Sequence, residues 1–373
     1  MSWGKVIGHE SARERFQKSV TRNRLASTYL FVGDDGIGKR TFALKLAQAI
    51  LCDRNPIESL TACEACPACV QVKKQTHPDL LMVRKPEGKS ILPVDLFIGK
   101  GDKRRREGLV YDIGLKPFCG GYRIAIIDDA DYFNTESANC LLKTLEEPPP
   151  NSLLILLGTS QQRQLQTIVS RSQVVRFDPL TDQQVVEVLN RVGSSSDGDS
   201  DEPAVPIDVL AAAAGGSVGR ALQLADPEVL EFRQTLLQRL ASGDPHANDF
   251  SKQLIAFAES AGKENYLKRR RISLVADFAI EYYRHCTLAM TTAQTAADQA
   301  LSSSVATYAE RHRNNSAAGA EFACESIDRT SQFRQHVAAN AGLPNAVDSW
   351  LIDLGRIGRG ELVTTGDSLR GVI

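Results

Sequence analysis

The sequence has almost no net charge: 44 Lys and Arg stand against 45 Asp and Glu, which leaves -1 at neutral pH. A free-standing nucleic-acid binder usually carries a basic excess, so any contact with DNA has to be local or shared with partners. Long apolar runs are missing as well. No stretch reaches the length of a membrane span, and Met1-Ser2-Trp3-Gly4-Lys5 has no apolar leader core. No membrane partner is therefore expected, and the expected location is cytoplasmic. No internal repeat is evident. Residues 193–203 contain no large apolar side chain and read as a mobile acidic loop. The stretch from Ala289 to Ala318 is rich in Ala, Ser and Thr and poor in large side chains, so it is expected to pack weakly or fray.

What is present is ordinary for a globular protein. The chain has 373 residues, 42% hydrophobic and 24% charged, enough for two or three domains with real cores. Its eight cysteines, in a reducing compartment, point to metal ligation or buried thiols rather than disulfides.

The organising stretch is Gly33-Asp34-Asp35-Gly36-Ile37-Gly38-Lys39-Arg40-Thr41. It follows the apolar run Tyr29–Val32 and precedes a helically spaced segment, Phe42–Ile50. Strand, glycine loop and helix form the context of a phosphate-binding loop. Its backbone N–H groups converge on an anion, and the helix N-terminus adds partial positive charge. Lys39 is placed to reach the terminal phosphates. The next residue should carry a hydroxyl for Mg²⁺. Arg40 stands there instead, and Thr41 does not simply substitute, because one helical step turns the side chain by roughly 100°. ATP or ADP binding is expected, and Mg²⁺ chemistry is in doubt.

Cys52 and the run Cys63-Glu64-Ala65-Cys66-Pro67-Ala68-Cys69 form the second signal. Four closely spaced thiolates suit a tetrahedral Zn²⁺ site with no open position, which is structural rather than catalytic. His77 is isolated from other ligand types and reads as structural. The third signal is Tyr122–Asp131, a continuous apolar strand ending in acids. Asp128 is the expected metal-side acid, and Asp129 stands where a longer Glu would act as general base. A helix from about Thr135 to Glu146, capped by Asn134, is stopped by Pro148-Pro149-Pro150. The next strand, Leu153–Leu157, ends near Thr159, a polar residue at γ-phosphate height. Arg171, in Ser170-Arg171-Ser172, is either a solvated surface group or a group aimed at a neighbouring subunit's nucleotide. Lys100–Glu107 is a charge run, read as a solvated loop with DNA contact as the alternative. Beyond Glu228 only helical patterning is visible, to a tail from about Gly358.

In order along the chain stand GDDGIGKRTFALKLAQAILC, CEACPACVQV, HPDLL, GGYRIAIIDDADYFNTESANCLLKTLEEPP, LQTIVSRSQVVRFDPL and GGSVGRAL. Together they resemble the delta-prime family of bacterial DNA polymerase III clamp-loader subunits, densely from Trp3 to Leu224 and weakly beyond. The resemblance implies a RecA-like AAA+ α/β domain (residues 1–178) with a parallel sheet, flanking helices, a P-loop and a zinc module at residues 52–69. A small helical lid (179–227), a helical collar for oligomerisation (228–357) and a tail (358–373) would follow. It implies a stator, an accessory subunit of the polymerase complex and not the polymerase, with weak or absent ATPase activity of its own. Its partners would be gamma/tau-like motor subunits, a delta-like clamp-opening subunit, the sliding clamp and primer-template DNA reached through the complex.

Carried across by motif, Gly33, Gly36, Gly38, Lys39, Arg40, Thr41, Asp128, Asp129, Thr159 (sensor 1) and Arg220 (sensor 2) belong to the nucleotide site. Cys52, Cys63, Cys66 and Cys69 would be the zinc ligands, and Arg171 the arginine finger supplied in trans. Arg40 and Asp129 depart from the motor pattern and favour the stator. The alternatives are an ATP-hydrolysing gamma/tau-like motor or another AAA+ ATPase, and a DNA-binding module using Lys103–Arg106 or Lys268–Arg271.

Overall fold

The structure, a computed structural model, describes residues 3–4, 6–104, 106–193, 205–246, 249–292 and 298–361. Of the acidic loop expected at residues 193–203, residues 194–203 lie outside the described residues, as do residues 362–373 of the tail expected from about Gly358. The chain forms two compact units, Met1–Ser200 with Ala214–Leu222, and Asp201–Ala213 with Gln223–Ile373. No helix among the described residues is long and apolar enough to cross a membrane.

The first unit is built on one parallel sheet. Its strands are β1 (Thr28–Val32), β2 (Leu80–Val83), β3 (Arg123–Ile127), β4 (Ser152–Gly158) and β5 (Gln173–Arg176), in spatial order β2-β3-β4-β1-β5. Every residue of the three central strands is buried. Helices cover both faces of such a sheet, so its strands appear in sequence as unbroken apolar runs rather than alternations.

The helices of this unit are α1 (Glu10–Thr21), α2 (Lys39–Ile50), α3 (Pro67–Lys73), α4 (Asp95–Ile98), α5 (Leu109–Ile113), α6 (Thr135–Glu146), α7 (Gln166–Val169) and α8 (Asp182–Gly193). Successive strand residues point to opposite faces. Tyr29, Phe31, Ile126 and Ile155 therefore pack with Phe16 of α1 and Phe42 and Leu46 of α2. Leu30, Val32, Ile127 and Leu156 pack on the other side with Leu141 and Leu145 of α6. The expected Asn134 cap of α6 is present. Its Oδ1 accepts from Ser137 N–H at 2.8 Å, and Ser137 Oγ accepts in return from Asn134 N–H at 3.2 Å.

His77 reads from the sequence as a structural residue. It is buried, its Nδ1 accepts from Asp79 N–H at 3.1 Å, and burial pushes its pKa down. The fully buried Asp79 carboxylate accepts from the backbone N–H of Phe118 and Cys119 and from Arg123. The register then aligns the functional loops. Val32 lies opposite Gly158, and Ile127 opposite Leu156. The chain leaves the three adjacent strands β3, β4 and β1 at one edge of the sheet, the edge where ligands bind in open α/β folds.

The second unit is helical, with α9 (Ile207–Ala213), α11 (Pro227–Ser242), α12 (Phe250–Ser260), α13 (Asn265–Thr292), α14 (Gln299–Arg311), α15 (Ser316–Ala338) and α16 (Leu343–Gly358), while α10 (Val218–Leu224) ends at its border. Phe333 stacks on Trp350 with centroids 4.5 Å apart, and Trp350 Nε1 donates to Thr330 Oγ1 at 3.1 Å. Beside them Arg329 and Asp353 form a buried pair, Nε to Oδ2 at 2.6 Å.

The expectation of weak packing between Ala289 and Ala318 is corrected for Gln299–Arg311, while residues 293–297 lie outside the described residues: α14 is a formed helix that buries Leu301, Val305 and Tyr308. Its N-cap, Asp298, accepts from Leu301 N–H at 3.1 Å and from Arg233 at 2.7 Å. Three anchors at helical spacing and a tied cap hold a segment whose composition suggests fraying.

Candidate functional site

Residues Gly33–Thr41 join β1 to α2. Gly36 and Gly38 have φ of +78° and +106°, a region side chains resist. At Gly36 the approach of other atoms is equally restrictive. A Cβ there would lie 2.5 Å from Ser217 Oγ and 2.7 Å from Gly219 Cα. Gly219 N–H donates to Gly36 O at 3.1 Å, and Ser217 Oγ donates to Asp35 O at 2.7 Å. Arg220 sits in the first turn of α10, its N–H donating to Ser217 Oγ at 3.1 Å. The proposed sensor-2 position thus adjoins the loop. From the other side, buried His9 reaches Ile37 O through Nε2 at 2.7 Å.

Lys39 is buried and turned back into the loop. Its Nζ donates to Gly33 O at 2.6 Å and Asp34 O at 2.7 Å, with Asp35 at 3.9 Å. Two of its three N–H donors are thereby used on carbonyls, and the third remains for an anion. Burial lowers its pKa, against the opposing pull of Asp35, Asp131, Asp34 and Asp128.

Arg40 Nη1 lies 3.5 Å from Asp128 Oδ2, and Nη2 donates to Gln75 Oε1 at 3.2 Å. Thr41 is exposed. A Mg²⁺ site of this kind uses a loop hydroxyl and the strand-end carboxylate. Position 40 has no hydroxyl, and the carboxylate faces a guanidinium, so these residues do not fit Mg²⁺. Asp129 adopts a left-handed backbone, φ +59°. Its Oδ2 accepts from Lys85 N–H at 3.3 Å and lies 3.9 Å from Arg84 Nε. Burial, and then the charge of Asp128, raise its pKa.

Thr159 links two parts of the site. Its carbonyl accepts from Gly33 N–H at 3.0 Å, while its Oγ1 donates to Asp131 Oδ2 at 2.5 Å. Asp131 also accepts from Thr159 N–H and from the Gln164 side chain. Sequence reasoning left Asp131, Ser217 and His9 without roles. The third acid of Asp128-Asp129-Ala130-Asp131 was the one visible hint; the other two declare themselves only through contacts distant in sequence.

Arg171 is not part of this constellation. It precedes β5, whose first residue Gln173 lies opposite Tyr29, whereas Val32, next to the loop, lies opposite Arg176. Arg171 therefore stands near the start of β1 and the loop at its end, about 13 Å of strand apart. The guanidinium contacts Glu146 Oε1 at 2.6 Å and donates to Thr167 O at 3.1 Å.

The four cysteines do converge. The Sγ atoms of Cys52, Cys63, Cys66 and Cys69 all lie within 4.8 Å of one another and can hold one metal ion. Backbone N–H groups of Cys63, Cys66 and Cys69 donate to the sulfurs of Cys52, Cys63 and Cys66 at 3.3–3.4 Å. Such bonds favour thiolate. Donation from Ala65 N–H is the main influence holding Cys63 at a pKa of about 6, whereas burial pushes Cys69 up. Lys45 pairs with Glu64, and Gln48 Nε2 donates to Cys69 O at 2.8 Å, tying the cluster to α2.

A family profile described as "DNA polymerase III, delta subunit" matches residues 8–181. The DNA polymerase III subunit delta' of Pseudomonas aeruginosa is 31% identical over 238 residues, 62% of this chain and 67% of that protein. The delta' subunit of Bacillus subtilis is 35% identical over 162 residues, 43% of this chain and 45% of its own length. The tau subunit of Bacillus subtilis is 28% identical over 233 residues, 62% of this chain and 38% of its length. The chain thus spans less than half the length of those two Bacillus relatives. With a glycine loop of the G-x-x-x-x-G-K pattern, a four-thiol cluster and a delta' relative matched over two thirds of its length, the chain belongs to the delta' family of DNA polymerase III clamp-loader subunits.

Proposed function

We propose that this chain is the stator of a clamp loader that places a sliding clamp on primed DNA. In this reading it assembles with gamma/tau-like motor subunits and a delta-like clamp-opening subunit. It holds nucleotide in its own loop without turning it over, and it presents Arg171 to the γ-phosphate of a neighbour's ATP. The observation that carries the reading is the position of Arg171, a strand's length from the chain's own loop. From there it serves another subunit more readily than itself. An arginine finger acts by stabilising charge in the transition state, worth roughly 10³–10⁵ in rate where measured in GTPases. Arg40 beside Asp128, with no hydroxyl at position 40, supports a site that does not hydrolyse.

In the same reading the chain has an AAA+ domain (1–178), a lid (179–227), a collar (228–357) and a tail. The thiol cluster holds Zn²⁺ as a structural ion, since four thiolates in a tetrahedron suit that metal and leave no open position. The similarity to a tau subunit favours one competing reading, an ATP-hydrolysing motor. One assay separates the two. The loader is reconstituted with motor and clamp-opening subunits, and DNA-stimulated ATP turnover is measured with wild-type chain and Arg171→Ala. Loss of turnover with intact assembly is expected. Normal turnover with Arg171→Ala removes the finger assignment, and Mg²⁺-dependent ATP turnover by the isolated chain makes it a motor.

A further inference from the structure

Arg40 occupies the position from which a loop hydroxyl would reach a metal, and it faces the carboxylate that would hold that metal. Its Nη1 is 3.5 Å from Asp128 Oδ2. The guanidinium is steadied on its other side by Gln75 Oε1 at 3.2 Å, on a residue whose own backbone is left-handed, φ +58°. Arg40 is half-buried at the start of α2, and its neighbour Lys39 keeps one donor beyond those given to Gly33 O and Asp34 O.

We propose that Arg40 is the site's built-in counter-cation, so that the loop binds a nucleoside di- or triphosphate without a divalent metal. The inference rests on the reading that Gly33–Thr41 holds nucleotide. A guanidinium is charged at every relevant pH and carries five N–H donors in a planar fork. Gln75 takes one donor and Asp128 attracts a second, which leaves donors for phosphate oxygens. The polyphosphate then meets Lys39, Arg40 and the loop's N–H groups, and Asp128 balances Arg40 instead of a metal. A divalent cation entering the same place would compete with Arg40 for Asp128 and be repelled by its charge.

The full chain is titrated calorimetrically with ADP, once in EDTA and once in MgCl₂. Wild-type affinity should agree within about threefold between the two conditions. Arg40→Ser restores a hydroxyl and frees Asp128. It should weaken binding in EDTA by about tenfold, the scale of one charge-assisted hydrogen bond, and make Mg²⁺ tighten it. Arg40→Gln, which keeps the side chain's bulk without charge, should show the same loss in EDTA, and thermal melting checks that both variants fold. Tightening of wild-type binding by Mg²⁺ of tenfold or more overturns the proposal and leaves the nucleotide reading standing. Unchanged EDTA binding in folded Arg40→Ser and Arg40→Gln overturns it as well. No ADP binding under either condition removes the nucleotide reading together with this inference, while the Arg171 assay decides the finger separately.

Discussion

Arg171 is gripped by Glu146, the last residue of α6, with Nε and Nη2 both directed at Glu146 Oε1, at 2.9 and 2.6 Å. The guanidinium is thereby aimed by a helix end rather than left to sample rotamers. Both groups are part-exposed, at 33% and 51% for the side chains, so the pair adds less than about 1 kcal/mol to folding. Glu146→Gln should leave the melting temperature nearly unchanged. In a reconstituted loader, if Arg171 acts as the proposed finger, it should lower ATP turnover by less than Arg171→Ala does, because the guanidinium is present but less well aimed. Turnover equal to wild type in Glu146→Gln would show that the grip has no part in positioning.

The thiol cluster predicts a stoichiometry. The full chain purified without chelator should carry about one metal ion, read by mass spectrometry as zinc. Cys69→Ser removes a buried ligand and should reduce the metal content to near zero. It should also lower the melting temperature, because metal affinity contributes directly to the stability of such modules. Full metal content in Cys69→Ser would mean that the four sulfurs do not form one site.

Asp129 predicts a pH dependence. Its folded-state pKa is raised by burial and by Asp128, so between the ordinary carboxylate range and that raised value the folded state binds more protons than the unfolded one. Stability therefore falls as pH rises through this window, and at neutral pH the ionised carboxylate is a net cost. Asp129→Asn should stabilise the chain at pH 7, helped by the tolerance of Asn for the left-handed backbone found there. The gain should shrink as pH falls through that window and be nearly gone once pH is below the normal Asp range. Urea titrations of both proteins from pH 3 to pH 7 measure it, and an equal difference at every pH would rule out the titration.

Much of this was legible in order of residues. The runs at Tyr29–Val32, Arg123–Ile127 and Leu153–Leu157 announce buried parallel strands because both faces of the sheet are covered. The cap at Asn134 and the stop at Pro148 are local signals, and α6 begins and ends where they place it. The firm packing of α14 is not legible because its Ala- and Ser-rich composition hides Leu301, Val305 and Tyr308, which count only once a neighbouring helix is there to receive them. Asp131, Ser217 and His9 were missed for a related reason. Their partners, Thr159, Asp35 and Ile37, are not their neighbours in sequence.

The amino-acid sequence by itself determined the chemistry on offer: a glycine loop with Lys39, an Arg where a hydroxyl is usual, paired acids after a strand, and four thiols at metal-ligand spacing. It determined the strands and most helices too, since propensity, apolar period and capping are local properties. Tertiary structure decided which groups meet. The strand order β2-β3-β4-β1-β5 brings the end of β3 within reach of the start of α2, so Arg40 finds Asp128, and it sets Arg171 at the far end of β1 from its own loop. A side chain reaches only a few ångströms, and what lies within that reach is set by sheet order and register.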